Sequence, residues 1–355
     1  MRILFYVVIA SLGFSSCSID SKNPSSDSTD WEEVDLEYAE HFKLLRKGEQ
    51  FSLVLLDPDS KEEVQTVNIL AKSDQRIICL TATLTGMFCE LDAREYLVGI
   101  TAENQLYDAT LKKRFSKGKM KEYGDFTQLS LERVADANPS VILYNYVNNE
   151  FPHKEKLEKL GIQLVTVNDW LEAHPLAKAE WIKVVGALSG KFDEACELFD
   201  KIKANYESIA TDVQQFETQP SVISGNLIGG SWYAPSGENY FGILIQDAGG
   251  DYVYKESKGA KSLALPLEKI LEDNQSTEIW LNPGVPSKKA LLQLNPHSKL
   301  LQAQENGVYC YSGSTNKFWE QSALRADFVL EDLAHIFHPE LGENYSFHYY
   351  APLQP

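Results

Sequence analysis

The chain has 355 residues, a net charge of −18 and a sequence pI of about 4.9. This acidity argues against binding to nucleic acid or to an anionic membrane surface, because both repel a strongly negative chain. The length is sufficient for two domains that each have a core of their own.

The first 16 residues predict a lipoprotein signal peptide. Arg2 is followed by a short apolar run and then by small residues that end at Cys17, which is the pattern of an exported chain. These small residues resemble a bacterial lipobox, so we expect Cys17 to be lipidated and to anchor the protein to a membrane in the periplasm. The alternative is an ordinary cleaved signal in which the cysteine has no role. Residues 17–30 are polar and rich in serine and predict a flexible tether.

Residues 31–66 predict an N-terminal extension. Its first part, residues 31–48, is charged and indicates a helical or irregular lead-in. The apolar runs that follow predict two strands around a turn at residues 57–60, where the sequence reads Asp-Pro-Asp-Ser. The sequence assigns no role to this strand pair.

Residues 67–173 predict a first α/β lobe. Short apolar strands such as RIICLTA, YLVGITA, SVILYN and IQLVTVN alternate with helical segments such as TGMFCELDA, LSLERV and HKEKLEKLG. The segment KKRFSKGKMK is expected to be a Lys-rich loop. Strands that alternate with helices of about ten residues predict a parallel, Rossmann-like sheet.

Residues 174–217 carry no strand signal and predict connecting helices. One apolar stripe at helical spacing extends over about five turns, and its members are Phe192, Ala195, Leu198, Phe199, Ile202, Tyr206 and Ile209. The alternation of strands and helices resumes in residues 218–355 with PSVISGNLI, NYFGILIQDAGG, TEIWLN, GVYCYSG and RADFVLEDLAHIF. The predicted fold is therefore α/β, with two Rossmann-like lobes of parallel sheet that are joined by one long rigid helix and have a ligand cleft between them.

One helix-then-strand phrase occurs twice. Residues 129–143 read LSLERVADANPSVIL, and residues 265–281 read LPLEKILEDNQSTEIWL. The repeat predicts two similar lobes and places one carboxylate, Glu132 or Glu268, at the same point of each. Without further information, both are equally well explained as solvent-facing glutamates that complement a helix dipole.

The chain resembles the periplasmic substrate-binding proteins of iron-chelate and cobalamin importers, the class whose lobes are joined by a single long helix. The similarity covers roughly residues 70–345 and comprises the opening RIICLTATLTGMFCELDAREYLVGIT, the segment YGDFTQLSLERVADANPSVIL, the linker EWIKVVGALSGKFDEACELFDKI and the C-terminal segments SWYAPSGENYFGILIQDAGGDYVY and FWEQSALRADFVLEDLAHIFHPEL. The resemblance implies a monomeric binding protein without catalysis or cofactor. It also implies that Glu132 and Glu268 dock into arginine pockets on the two halves of an ABC permease, which works with its ATPase.

The ligand is expected between the lobes, at the carboxyl ends of the strands. Aromatic side chains there suit a flat metal complex, and the resemblance leaves ferric siderophore, haem and cobalamin open. The candidate ligand-binding residues are Thr83, Tyr107, Tyr144, Tyr146, Trp232, Tyr233, Tyr240, Lys317 and Trp319, with Phe318 beside them. Lys317, Arg325 and Arg114 are candidates to balance an anionic chelate. If the ligand is haem, Tyr107 or Tyr233 is the first candidate for its axial ligand.

Other functions have weaker support. His335 and His338 have helical spacing but no third metal ligand nearby, and Cys79, Cys89, Cys196 and Cys310 favour buried thiols whose pairing the sequence does not fix. An exported hydrolase is one alternative, but GALSG at residues 186–190 lies in a helical region rather than at a strand-to-helix turn. The other alternative is a lipid-anchored scavenger that passes its ligand to another protein without docking on a permease.

Overall fold

The computed structural model describes residues 30–70, 75–125, 127, 129–145, 151–274, 276–294, 296, 307–342 and 344–355. The predicted signal peptide, Cys17 and nearly all of the tether lie outside the described residues, and so does Tyr146.

The N-terminal extension is a four-stranded antiparallel sheet rather than a strand pair. Its strands pair in chain order and are β1 (Glu32–Glu33), β2 (Phe42–Lys47), β3 (Gln50–Leu56) and β4 (Glu63–Leu70). The hairpin of β3 and β4 around residues 57–60 confirms the predicted turn. The prediction of a helical or irregular lead-in is wrong for β2, where Phe42 and Leu44 are buried and alternate with the exposed Lys43.

The extension packs on the first lobe and on the connecting helices. The Gln65 side chain on β4 donates to the carbonyl of Leu164 at 2.6 Å and accepts from the N–H of Thr166 at 3.3 Å. Glu180 accepts the backbone N–H groups of residues 37–39, and Glu172 accepts those of residues 40 and 41. Both glutamates are buried, so these bonds fix the path of the chain into β2.

The first lobe contains a five-stranded, fully parallel sheet, as predicted. Its strands lie in the order β7-β6-β5-β8-β9 and are β5 (Ile77–Cys79), β6 (Leu97–Ile100), β7 (Lys121–Glu122), β8 (Val141–Asn145) and β9 (Gln163–Val167). The helices of this lobe are α1 (Ala82–Glu90), α2 (Ala109–Ser116), α3 (Leu131–Ala137) and α4 (Lys154–Lys159).

Helix α2 corrects the prediction of a Lys-rich loop. The Asp108 side chain caps it by accepting from the N–H of Leu111, the one fully buried residue of the helix. Because Leu111 is the one side chain of α2 that is buried, the segment has little apolar periodicity, and its sequence resembles that of a loop.

The connecting helices are α5 (Pro175–Glu180), α6 (Ile182–Ser189) and the 22-residue α7 (Phe192–Val213). Helix α7 has the long linking role predicted, and its buried face includes Phe192, Ala195, Phe199, Ile202 and Tyr206. At 1.5 Å per residue, α7 is about 33 Å long. The resulting connection is stiff over the length of a domain.

The second lobe has a five-stranded sheet and a smaller three-stranded one. The larger sheet has the order β13-β10-β15-β16-β17 and is parallel except for β17; its strands are β10 (Ser221–Ser224), β13 (Asp251–Tyr252), β15 (Ile279–Leu281), β16 (Val308–Cys310) and β17 (Ala351–Pro352). The smaller sheet is antiparallel and consists of β11 (Asn226–Ile228), β12 (Ser231–Ala234) and β14 (Leu263–Pro266). The helices are α8 (Tyr240–Asp247), α9 (Leu267–Asp273), α10 (Lys288–Leu294), α11 (Thr315–Gln321) and α12 (Ala326–Phe337).

The repeated phrase forms the same unit in both lobes. It folds as α3 followed by β8 in the first lobe and as α9 followed by β15 in the second. Glu132 and Glu268 both lie in the first turn of their helices and are exposed.

Candidate functional site

A cavity of about 690 Å³ lies between the lobes, at the predicted place. In the second lobe, its walls include residues that directly follow parallel strands: Gly225 after β10, Asn282 after β15 and Tyr311 after β16. In the first lobe, Thr83 in the first turn of α1 and residues 169–170 beyond β9 face it. The loops at the carboxyl ends of both sheets therefore converge on one cleft.

Three large aromatic side chains project into this cleft with much of their surface free. Trp170 is 49%, Tyr233 43% and Trp319 48% exposed. Behind them the Tyr311 and Phe318 rings stack, with centroids 3.7 Å apart, and burial raises the pKa of Tyr311 to about 12. The cleft thus offers a flat ligand a stacked aromatic wall and three exposed aromatic side chains.

Four of the nine predicted ligand-binding residues line the cleft, and they are Thr83, Tyr233, Tyr240 and Trp319. Phe318 lies there as well. Tyr240 is largely buried, and its hydroxyl donates to the carbonyl of Ser322 at 3.1 Å, so it offers a ring edge rather than a free hydroxyl.

Other residues of the cleft were not predicted from the sequence. Asp169, Trp170, Lys178, Phe241 and Tyr311 also line it. Asp169 and Trp170 come directly after the predicted strand IQLVTVN, and the rule that ligands bind beyond strand ends applies to them.

Trp232 corrects one prediction. It is fully buried, its indole N–H donates to the carbonyl of Ser224 at 3.2 Å, and its ring packs on Trp280 with centroids 5.3 Å apart. Strand β12 forms one hairpin with β11 and also pairs with β14, and the alternation along β12 turns Trp232 into the core and Tyr233 towards the cleft. Trp232 therefore has no surface for a ligand.

Tyr144 also belongs to the core. Its hydroxyl accepts from the Thr166 side chain at 3.2 Å, and its ring packs against Phe151 with centroids 4.4 Å apart. Strand β8 lies inside the first sheet, between β5 and β9, and its Tyr144 packs in a hydrophobic cluster.

Tyr107 and Lys317 lie away from the cleft. Tyr107 borders a second cavity of about 330 Å³ that is lined mainly by polar side chains, Arg94 and Glu320 among them. The Lys317 ammonium donates to the carbonyl of His348 at 2.8 Å and lies over the Tyr349 ring. Of these two cavities, the larger one has the greater volume and the aromatic surface.

The other predicted cations already have partners. Arg325 makes two hydrogen bonds to the Asp327 carboxylate, at 2.9 and 2.8 Å. Arg114 donates to the carbonyls of Glu95 and Leu97. These arginines therefore stabilise local structure instead of facing the cleft.

Among the residues that the structure describes, two charged ones line the cleft, Asp169 and Lys178. Burial raises the pKa of Asp169, against the effect of the nearby Lys178, and burial lowers the pKa of Lys178. The Lys178 ammonium donates to the carbonyl of Trp170 at 3.2 Å and lies 5.0 Å from the centre of the Tyr240 ring.

The histidines and the GALSG segment have structural roles. His335 stacks on Tyr345 and His338 on Phe216, and within the described ranges no three His, Cys, Asp or Glu side chains are grouped to hold a metal ion. Ser189 of GALSG is buried in α6, and its hydroxyl donates to the carbonyl of Val185 at 2.8 Å. This geometry differs from that of a hydrolase nucleophile at a strand-to-helix turn. The cysteines at positions 79, 89, 196 and 310 are free thiols.

The lobes also meet at a direct helix contact, where α1 crosses α11. Gly86 on α1 lies so close to α11 that an added Cβ atom would be 1.6 Å from the carbonyl oxygen of Glu320. The Glu320 carboxylate reaches back to the first lobe and accepts the N–H groups of Tyr107 and Asp108 at 2.8 and 3.0 Å. The lobes are therefore held together at two places, this contact and the linking helix.

Glu132 and Glu268 have no hydrogen-bond or ion-pair partner in the part of the chain that the structure describes. Each is followed by a basic residue, Arg133 or Lys269, that bonds elsewhere: Arg133 to the carbonyl of Glu122 and Lys269 to Asp273. Both carboxylates are thus available to a partner.

Comparison with known proteins identifies the family. A family model described as periplasmic binding protein matches residues 77–307, which is more than half of the chain. The chain belongs to the periplasmic binding protein family.

Relatives and solved structures agree with this assignment. This periplasmic binding protein is 27% identical over 252 residues to an uncharacterized lipoprotein of Methanocaldococcus jannaschii, a match that covers 69% of this chain and 59% of the relative. The chain spans about three fifths of the length of the curated relatives it matches. The names of these relatives include the word lipoprotein, in keeping with a family described as periplasmic.

The fold matches those of solved binding proteins. A periplasmic heme binding protein from Pseudomonas aeruginosa has a TM-score of 0.60 at 18% identity, covering 79% of this chain and 98% of that chain. An ABC-type Fe3+-hydroxamate transport system protein from Saccharomonospora viridis has a TM-score of 0.56 at 19% identity, covering 78% and 96%. The family and these neighbours are solute-binding proteins rather than enzymes. No helix among the described residues of this periplasmic binding protein is long and apolar enough to cross a membrane.

Proposed function

We propose that the protein is the substrate-binding lipoprotein of an ABC importer, and that it captures a metal chelate in the aromatic cleft without catalysing a reaction. The observation that carries this proposal is the cavity of about 690 Å³ with Trp170, Tyr233 and Trp319 exposed on its walls. Aromatic faces give a flat complex a large contact area at low cost in side-chain entropy. The names of the neighbours mention heme and Fe3+-hydroxamate, which supports the same ligand class.

Tryptophan fluorescence of residues 30–355 tests the ligand class. The probes are a corrinoid, haem, a ferric tris-hydroxamate and a ferric tris-catecholate. Quenching with sub-micromolar affinity by one of them is the expected result, and Trp319→Phe should remove part of the quenching. Trp31→Phe is the control, because Trp31 is similarly exposed but precedes β1, outside the cleft. Failure of every probe to bind contradicts the proposed ligand class.

We further propose that Glu132 and Glu268 dock onto the two halves of the permease. The support is their equivalent position in the two lobes, their exposure and the absence of a partner within the described residues. A carboxylate that meets arginine in a bidentate pair fixes orientation as well as adding affinity. A pair related by pseudo-symmetry suits a two-fold partner.

The double variant Glu132→Gln and Glu268→Gln separates docking from ligand capture. Import should collapse while ligand affinity stays unchanged. Glu155→Gln is the matched control, because Glu155 is also an exposed glutamate in the first turn of a helix, α4. If import survives the double change, the scavenger that hands its ligand to another protein becomes the better explanation.

The membrane anchor is part of the same proposal. Lipidation of Cys17 would hold the protein at the membrane through the polar tether of residues 17–30. Cys17→Ser should release the protein into the soluble periplasmic fraction, and mass spectrometry of the wild-type N-terminus should show the acyl chains. An unmodified Cys17 in the membrane fraction contradicts this part of the proposal.

A further inference from the structure

The charges of the cleft narrow the ligand class, an inference that rests on the proposed function. Arg325, Arg114 and Lys317 are occupied elsewhere, and the charged residues that line the cleft are Asp169 and Lys178. Among the described residues, the lining therefore carries no net charge.

The pair supplies little charge of either sign. Burial raises the pKa of Asp169 and lowers that of Lys178, which moves both side chains towards their neutral forms. Their sum is zero when both are charged or both are neutral, and one positive charge remains when Asp169 alone is protonated, which is too little to offset a trianion. A polyanionic ligand would therefore lose its hydration without gaining compensating positive charge, which is strongly unfavourable in a desolvated site.

Asp169 is poised to meet a hydrogen-bond donor. It lines the cleft while being only 2% exposed, and its Oδ1 atom has no hydrogen-bond partner. The Thr83 hydroxyl lies beside the carboxyl group, while the Lys178 ammonium bonds to the carbonyl of Trp170 instead. A buried acceptor without a donor is costly, so a ligand that supplies one gains affinity. Asn282 also lines the cleft with a buried Oδ1 atom that has no partner, so Asp169 and Asn282 both offer an acceptor to a ligand.

We propose that the cleft selects a flat metal complex of no net negative charge whose rim presents a carboxamide, amine or hydroxyl donor to Asp169. Lys178 is already held by a carbonyl and by the Tyr240 ring, so it offsets Asp169 rather than serving as an anion receptor. Amide-rimmed corrinoids and neutral ferric hydroxamates fit this description. Polyanionic catecholate complexes do not, and haem fits it poorly because it carries two propionates.

Calorimetric titration of the wild-type protein at one ionic strength makes the first comparison. The probes are cyanocobalamin and a ferric tris-hydroxamate as neutral complexes and a ferric tris-catecholate as a trianion. We expect the better neutral complex to bind at least about a hundredfold more tightly than the trianion, because the trianion buries uncompensated charge. Equal or tighter binding of the trianion overturns the inference and leaves the proposed function standing. If no complex of any charge binds, both the function and the inference are overturned.

The isosteric variant Asp169→Asn tests the role of the residue itself. Affinity for the neutral donor-rimmed complex should fall by up to about tenfold, which corresponds to the loss of one hydrogen bond, while affinity for the trianion should rise. Asp92→Asn is the control, since the Asp92 side chain is 90% exposed and its left-handed φ of 49° also suits Asn. The reciprocal change Lys178→Gln should weaken the trianion further. Unchanged affinities in both folded cleft variants contradict the assignment of Asp169.

Discussion

We expect one methyl group, added at Gly86 where α1 contacts α11, to separate the lobes. At Gly86, a Cβ atom would lie 1.6 Å from the carbonyl oxygen of Glu320 and 2.7 Å from its carbonyl carbon. Close C···O contacts in proteins are about 3.3 Å, so Gly86→Ala requires the two backbones to move apart by roughly 1.7 Å. Both obstacles are backbone atoms, and a side-chain rotation does not relieve the clash.

This displacement also breaks the carboxylate bridge between the lobes. The Glu320 carboxylate accepts the N–H groups of Tyr107 and Asp108 at 2.8 and 3.0 Å, and a shift of roughly 1.7 Å takes both beyond hydrogen-bond distance. Hydrogen bonds to a charged group contribute about 1.5–3 kcal/mol each. Part of this is recovered when water enters the gap, so we expect Gly86→Ala to lower the free energy of unfolding by at least about 3 kcal/mol.

Urea denaturation measures this effect, and Gly313→Ala is the control. A Cβ atom at Gly313 meets nothing within 4 Å, and its φ is not positive, so the same chemical change should leave stability within about 0.5 kcal/mol of the wild type. Glu320→Gln keeps the helix contact but weakens the bridge, and its stability should fall between the two. A Gly86→Ala variant within about 1 kcal/mol of the wild type would refute the packing argument.

Three further results are expected. Burial raises the pKa of Glu172 to about 7 from 4.5, so between these two values the folded state binds a proton that the unfolded state has lost. The free energy of unfolding should therefore fall by up to about 3 kcal/mol as pH rises from 5 to 8. In urea titrations, Glu172→Gln should flatten this dependence on pH. The buried Tyr206 on α7 donates to the half-buried Asp247 of the second lobe at 2.5 Å, so Tyr206→Phe should cost about 2 kcal/mol, whereas an unchanged midpoint would rule out a role in stability. Small-angle scattering should show little change in the radius of gyration on ligand binding, because α7 and the contact between α1 and α11 both resist closure; a large decrease would contradict this.

The fold was predictable where one physical signal dominated. Buried parallel strands are continuous apolar runs, and α7 has a stripe that returns at helical spacing. The prediction was wrong for α2 because one buried residue, Leu111, anchors it, and for β2 because Lys43, Arg46 and Lys47 obscure a period-two pattern. Strand β2 pairs with the next strand, β3, and its Phe42 also packs on Trp181, which is distant in sequence.

The site was predictable in position but only in part in its residues. The rule that ligands bind beyond strand ends predicts the position of the cleft. The same rule applies to Asp169 and Trp170, which were not among the predicted residues. Trp232 was misplaced because the loop around it pairs with β14, some thirty residues further along the chain. The partner of Lys317, the carbonyl of His348, is likewise set by tertiary packing, whereas Arg325 pairs with Asp327 two residues along the chain. The charge of the cleft therefore depends in part on the tertiary fold.

The two walls of the cleft differ in chemistry, and this difference orients the proposed ligand. The second lobe supplies the stacked rings of Phe241, Tyr311 and Phe318 and the exposed Trp319. The first lobe supplies Asp169, beyond β9, and the connecting helix α5 supplies Lys178. A flat complex stacked on the aromatic wall would present its rim to Asp169. The second lobe then accounts for affinity towards many flat complexes, and Asp169 of the first lobe accounts for discrimination among them. Substitutions at Trp319 should then weaken all chelates alike, whereas substitutions at Asp169 should change their order.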